Sequence, residues 1–133
     1  MTENNKGTAK TRILIVDDSW LVRLYYRDTL EKAGFEVEQA INGIEAMEKV
    51  LTQTYDLAIV DINMPRMDGI SFVRSLRRST PDVSSLPALM ITTEAGQQDI
   101  VDARTAGANF YLVKPVSEAE LLRHVAVLTG ARR

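Results

Sequence analysis

A doubly wound α/β fold, with five parallel strands in the order 2-1-3-4-5, is what this 133-residue chain predicts. Apolar runs and helical patterns alternate five times from residue 12 onward, and strands that alternate with helices assemble into parallel sheets. The first, third and fourth runs are almost continuously hydrophobic, as central strands covered on both faces must be. Right-handed crossovers then place the first and fifth helices on one face and the other three on the opposite face.

Taken in order, residues 1–10 are polar, lack periodicity and read as a loose tail. Strand β1 covers 12–16 (RILIV). Helix α1, 19–33, repeats Leu21, Leu24, Tyr25 and Leu30 at turn spacing and stops at Gly34, a natural left-handed cap. Strand β2, 35–40 (FEVEQA), alternates in polarity and suits an edge. Helix α2 follows Asn42, a good N-cap, and carries Ile44, Met47, Val50 and Leu51. Strand β3 is 56–61 (DLAIVD). Helix α3, 69–78, begins after Asp68 with Ile70, Val73 and Leu76 in register; Arg77-Arg78 at its end read as a solvated terminus complementing the helix dipole. Residues 79–86 (STPDVSSL) read as a polar loop, and β4 is 87–92 (PALMIT). Helix α4, 96–106, stops at Gly107, and β5 is 109–113 (NFYLV). Helix α5 opens on the capping box Ser117-Glu118-Ala119-Glu120 and turns Leu121, Leu122, Val125 and Leu128 inward. Only Thr129–Arg133 follow it, so residues 11–133 are expected to form one domain without an output domain.

Composition narrows the function. Apolar residues make up 45% and charged residues 26%, enough for a core inside a solvated surface. No run approaches the roughly 18 apolar residues of a membrane span, and no signal-peptide pattern is present. Without cysteine there are no disulfides or thiolate metal sites, which fits a cytoplasmic setting. A net charge of −2 gives no electrostatic case for nucleic acid. The single histidine, His124, excludes a His-rich zinc site and reads as a surface or partly buried helix residue.

The predicted strand order makes β1 and β3 neighbours at the switch point, where open α/β sheets bind ligands. Asp17-Asp18 end β1 and Asp61 ends β3, while β4 closes with Thr92-Thr93 and β5 with Lys114-Pro115. All fall on the carboxyl edge. Carboxylates crowded together repel one another and raise each other's pKa unless a cation intervenes. Oxygen-only ligands suit a hard ion, Mg²⁺ first, with Mn²⁺ as its substitute. The three carboxylates, a divalent ion and the Lys114 ammonium cancel in charge. Such a site can admit a phosphoryl group and let an aspartate attack it.

The segments "ILIVDDS", "AIVDINMPRMDG", "LMITTEA" and "GANFYLVKP", spread over residues 12–128, resemble the response-regulator receiver domains, and within them the single-domain chemotaxis regulators of the CheY type. The resemblance implies a flavodoxin-like (βα)5 fold with Asp61 as phosphoacceptor. It implies that Asp18 binds Mg²⁺ directly and Asp17 through water, with the Asn63 backbone carbonyl as a further ligand. Lys114 would hold a phosphoryl oxygen ahead of a cis bond to Pro115. Thr92 and Thr93 would line the phosphoryl site, with Thr92 and Tyr111 forming the switch. Asn63 and Glu94 would tune dephosphorylation.

The implied donor is a sensor histidine kinase or a histidine phosphotransfer protein. The implied output is docking of a monomer through the α4-β5-α5 face, onto a flagellar motor switch or another protein, or onward phosphotransfer in a relay. Neither nucleic acid nor membrane is an expected partner. The chain departs from the chemotaxis pattern at Val116, where Phe is common, and at Thr93, where smaller residues are common and where bulk would slow donor access. Residues Gln97, Gln98, Asp99, Asp102 and Arg104 give α4 a polar mixture with no partner signature. A haloacid-dehalogenase-type phosphatase is the competing enzyme reading. It calls for Asp-x-Asp at the nucleophile and a later acidic pair, whereas here Asp61-Ile62-Asn63 follows the pair. A degenerate receiver serving as a constitutive binding module is disfavoured by the full set of site residues.

Overall fold

The computed structural model describes residues 10–93 and 97–130, with only the backbone of Gln97. Apart from the exposed Lys10, the segment read as a tail lies outside them. Five parallel strands, β1 (Arg12–Val16), β2 (Glu36–Ala40), β3 (Leu57–Val60), β4 (Ala88–Thr92) and β5 (Phe110–Val113), pair in the order β2-β1-β3-β4-β5. The 2-1-3-4-5 expectation is met. Register is set by pairs such as Ile15 with Ile59 and Met90 with Tyr111.

Because successive strand residues point to opposite faces, each central strand feeds two cores. Leu14, Val16, Ala58, Val60, Ala88 and Met90 meet α2 (Gly43–Thr52), α3 (Gly69–Arg77) and α4 (Gln97–Ala106). Ile13, Ile15, Leu57, Ile59, Leu89 and Ile91 meet α1 (Trp20–Lys32) and α5 (Glu118–Thr129). Complete burial on both sides is why these runs needed no polar alternation. Four helices start in the same way. The side chains of Ser19, Asn42, Asp68 and Ser117 accept from the main-chain N–H three residues on, at 3.4, 2.9, 2.8 and 3.1 Å, satisfying an otherwise orphaned donor. Gly34 closes α1 at φ 97°, a conformation other residues resist.

Several expectations need correction. In α1 the buried stripe is Tyr26, Thr29 and Leu30; Leu21 and Tyr25 face outward, 63% and 39% exposed. In α2 the close contact is made by Ala46 and Val50, leaving Ile44 and Leu51 exposed. In α5 only Leu121 and Val125 are fully buried, with Leu122 and Leu128 packed at the margin. The loop after α3 contains a helical turn, Pro81–Ser84, started by a proline whose fixed φ suits a first helical position.

Arg77 is not a solvated terminus. Its Nε and Nη2 donate to the Gly107 carbonyl at 3.0 and 2.8 Å, Nη1 to the Ser84 and Leu86 carbonyls at 2.9 and 2.7 Å, and Nη2 also to Asn109 Oδ1 at 2.8 Å. The guanidinium thus ties the end of α3 to the end of α4 and the start of β4. Burial lowers its pKa from the ordinary arginine value. Among the described residues, no helix is long and apolar enough to cross a membrane.

Candidate functional site

Backbone pairing carries two aspartates just past the last strand residues. Asp17 N–H donates to the Ala40 carbonyl at 3.1 Å, and Asp61 N–H to the Val16 carbonyl at 2.9 Å. Their side chains therefore emerge side by side above β1 and β3. One carboxylate oxygen from each of Asp17, Asp18 and Asp61 lies within 4.8 Å of the other two. Asp17 and Asp61 are buried, 2% and 8% exposed, whereas Asp18 is open to solvent. From β5, Lys114 Nζ reaches Asp17 Oδ2 at 3.2 Å and Asp61 Oδ1 at 3.5 Å. Lys114 N–H is itself fixed to the Thr92 carbonyl at 2.7 Å, and the Lys114–Pro115 peptide is cis.

One ammonium does not balance this site. Burial, then the neighbouring Asp17 charge, push the Asp61 carboxyl up to about 6 against the opposing pull of Lys114. The donor set is oxygen only, one member is solvent-facing, and the dominant carboxylate remains under-compensated. A hard divalent cation fits these residues.

The remaining predicted residues fall around this edge. Thr92 is fully buried and shares, by strand alternation, the face of Ala88 and Met90. Tyr111, on the paired strand, is half-buried against that same core cluster. Thr93 and Asn63 are exposed in the loops after β4 and β3. Glu94 lies outside the described residues. Val116 is buried, and its carbonyl accepts the Tyr25 hydroxyl at 3.0 Å. His124 is half-buried on α5, its ring stacked on Phe110 with centroids 4.8 Å apart.

Three residues at the site escaped the sequence reading. A Cβ at Gly69 would lie 2.1 Å from the Asp61 carbonyl oxygen, so any side chain there displaces Asp61; the signal was the Asp68-Gly69 pair. Tyr26 is buried near the aspartates, its phenol pushed above the usual range first by burial and then by Asp17 and Asp61. Arg23 Nη1 donates to the Asp17 main-chain carbonyl at 2.7 Å. Beside Lys114, an open cavity of about 370 Å³ is lined by Leu21, Val22, Tyr25, Tyr26, Pro115 and Val116.

The sequence profile of the response regulator receiver domain matches residues 13–126. The chain is 37% identical over 121 residues to the chemotaxis protein CheY1 of Helicobacter pylori, covering 90% of this chain and 97% of that one. Among solved structures, the Vibrio cholerae chemotaxis protein CheY4 superposes with a TM-score of 0.85 at 37% identity, over 90% of this chain and 99% of that one. The receiver domain of a sensor histidine kinase from Pseudomonas aeruginosa PAO1, solved with a magnesium ion coordinated in its active site cleft, gives 0.85 at 31% identity, over 92% and 99% of the two chains.

Proposed function

The chain belongs to the response regulator receiver domains, and from that premise we propose that Asp61 accepts a phosphoryl group whose presence switches the α4–β5–α5 face between two binding states. The observation that carries this reading is the buried Asp17–Asp61 pair bridged by Lys114, with Asp18 open beside it. Phosphoryl transfer asks mainly for positioning and charge stabilisation, and this edge supplies both. A carboxylate oxygen of Asp61 forms the O–P bond as the donor's bond to phosphorus breaks. With a phosphohistidine donor, the electron pair leaves with the imidazole, which takes a proton from solvent. The donor is a sensor histidine kinase or a histidine phosphotransfer protein. The chain acts as a switch that promotes its own phosphorylation and slow hydrolysis, rather than turning over a free substrate.

Asp18 directly, Asp17 through water, Asp61 and the Asn63 carbonyl would hold Mg²⁺, as the magnesium in the Pseudomonas receiver supports. When bound, the ion neutralises carboxylate and phosphoryl charge. Lys114 holds a phosphoryl oxygen. The Thr92 hydroxyl bonds another, with Thr93 lining the approach, and Tyr111 on the same face repacks behind it. Asn63 and Glu94 set the lifetime of the phosphoryl group. Phosphorylation signals only by favouring one of two arrangements already accessible. The face so altered carries exposed Val101 and Phe110, an apolar docking surface on a monomer working in the cytoplasm. Likeness to two chemotaxis proteins supports a motility pathway.

Amide NMR spectra with and without acetyl phosphate, in Mg²⁺, test the switch. Shifts should run from Asp61 through Thr92 and Tyr111 into α4 and Phe110. Shifts confined to the neighbours of Asp61 would refute it.

A further inference from the structure

Arg23 stands at the fourth position of α1, near the helix's positive end, where a cation is disfavoured, and that first turn holds no acidic residue to offset it. Two acceptors hold the cation in this unfavourable place. Its Nη1 donates to the Asp17 main-chain carbonyl at 2.7 Å, and its Nε to Gln39 Oε1 of β2 at 2.8 Å. Asp17 is engaged at every other polar atom as well. Its N–H reaches the Ala40 carbonyl at 3.1 Å, Oδ1 accepts Ser19 N–H at 2.9 Å, and Oδ2 faces Lys114 at 3.2 Å. Asp18 next to it is exposed and takes no hydrogen bond or ion pair among the described residues. The buried carboxylate is locked while its neighbour is left open.

We propose that Arg23, braced by Gln39, is a positioning residue for the divalent-cation site. It fixes the backbone between β1 and α1, tying the Asp17 carbonyl to β2, so that the adjacent Asp17 and Asp18 are held at one place on the sheet edge. The proposal rests on the receiver reading of the acidic edge. Groups that orient metal ligands matter strongly to affinity although they never touch the ion.

The sign of the effect separates positioning from plain charge. As a mere positive charge Arg23 repels a divalent cation, so its removal would tighten binding. As a brace it must be there for binding to be tight. Isothermal titration of Mg²⁺ into the wild type, Arg23→Ala, Arg23→Lys and Gln39→Ala at fixed ionic strength reads this directly, with urea unfolding in EDTA checking that each variant is folded. All three variants should bind Mg²⁺ about tenfold more weakly. Lysine fails because one ammonium cannot span both acceptors in the guanidinium geometry. Gln39→Ala leaves the charge in place and reads the brace alone, even if Arg23→Ala does not fold. The Arg23→Ala/Gln39→Ala double variant should be no weaker than Arg23→Ala, as coupled residues require. Tighter binding by Arg23→Ala, or wild-type affinity in Arg23→Lys and Gln39→Ala, would overturn the proposal. A wild type that binds no Mg²⁺ would instead overturn the receiver reading beneath it.

Discussion

Replacing Asp61 by Asn should stabilise the metal-free protein at neutral pH, although it removes the residue on which the function depends. The Asp61 carboxyl titrates at 3.8 in the unfolded chain and at about 6 in the fold, raised first by burial and then by Asp17. A carboxyl raised in this way favours the fold fully below 3.8 and loses that contribution as pH climbs through about 6. Each pH unit between the two values is worth about 1.4 kcal/mol, so ionised Asp61 destabilises the fold by roughly 2–3 kcal/mol at pH 7.5. Asparagine keeps the shape and abolishes the charge. Urea unfolding in EDTA at pH 7.5 should show Asp61→Asn more stable by that amount with an unchanged m value, and near pH 4 the gap should close. Saturating Mg²⁺ should narrow it at pH 7.5 as well, by stabilising the wild type preferentially. A variant less stable than wild type at pH 7.5, or a gain equal at both pH values, would refute the electrostatic reasoning.

Lys114→Ala should act in the opposite direction, leaving Asp17 and Asp61 without their ammonium. A loss of roughly 1–3 kcal/mol is expected at pH 7.5, below that of a fully buried pair because Lys114 keeps 19% side-chain exposure. Urea unfolding at pH 7.5 and at pH 4 checks this, the loss shrinking once Asp61 is protonated. Arg77→Ala should destabilise by about 2–4 kcal/mol by stranding carbonyls that the guanidinium now satisfies. Hydrogen exchange should locate the damage at Ala103–Asn109, and uniform loss of protection across the sheet would argue against a local clasp.

The fold was legible because its central strands say so in the plainest way. Residues 13–16, 57–60 and 88–91 are apolar at every position and buried at every position, which only a parallel sheet covered on both faces requires. Five alternating units favoured the strand order, handedness set which side of the sheet each helix covers, and the strand order brought Asp17, Asp18, Asp61 and Lys114 to one edge. Helix faces were less readable where apolar residues surround the helix. Trp20, Leu21, Val22, Leu24, Tyr25 and Tyr26 occupy most of the first two turns of α1, so spacing alone could not choose the stripe led by Tyr26. In α2 the deciding residue was the small Ala46, which lets the helix approach the sheet while the larger Ile44 stays outside. Arg77 could not be read at all. A cation at a helix end has an adequate local explanation, and its actual partners, the carbonyls of Ser84, Leu86 and Gly107, come together only in the folded chain. Arg23 was hidden for the same reason, since it reads as one more polar position on an exposed turn.

Intact-mass measurement after incubation with acetyl phosphate tests the central claim most directly. In Mg²⁺ the wild-type chain should gain the mass of one phosphoryl group, while Asp61→Asn, or the wild type in EDTA, should gain none. Undiminished labelling of Asp61→Asn would contradict the account, because the phosphoryl group would then rest on some residue other than the one this edge of the sheet is built around.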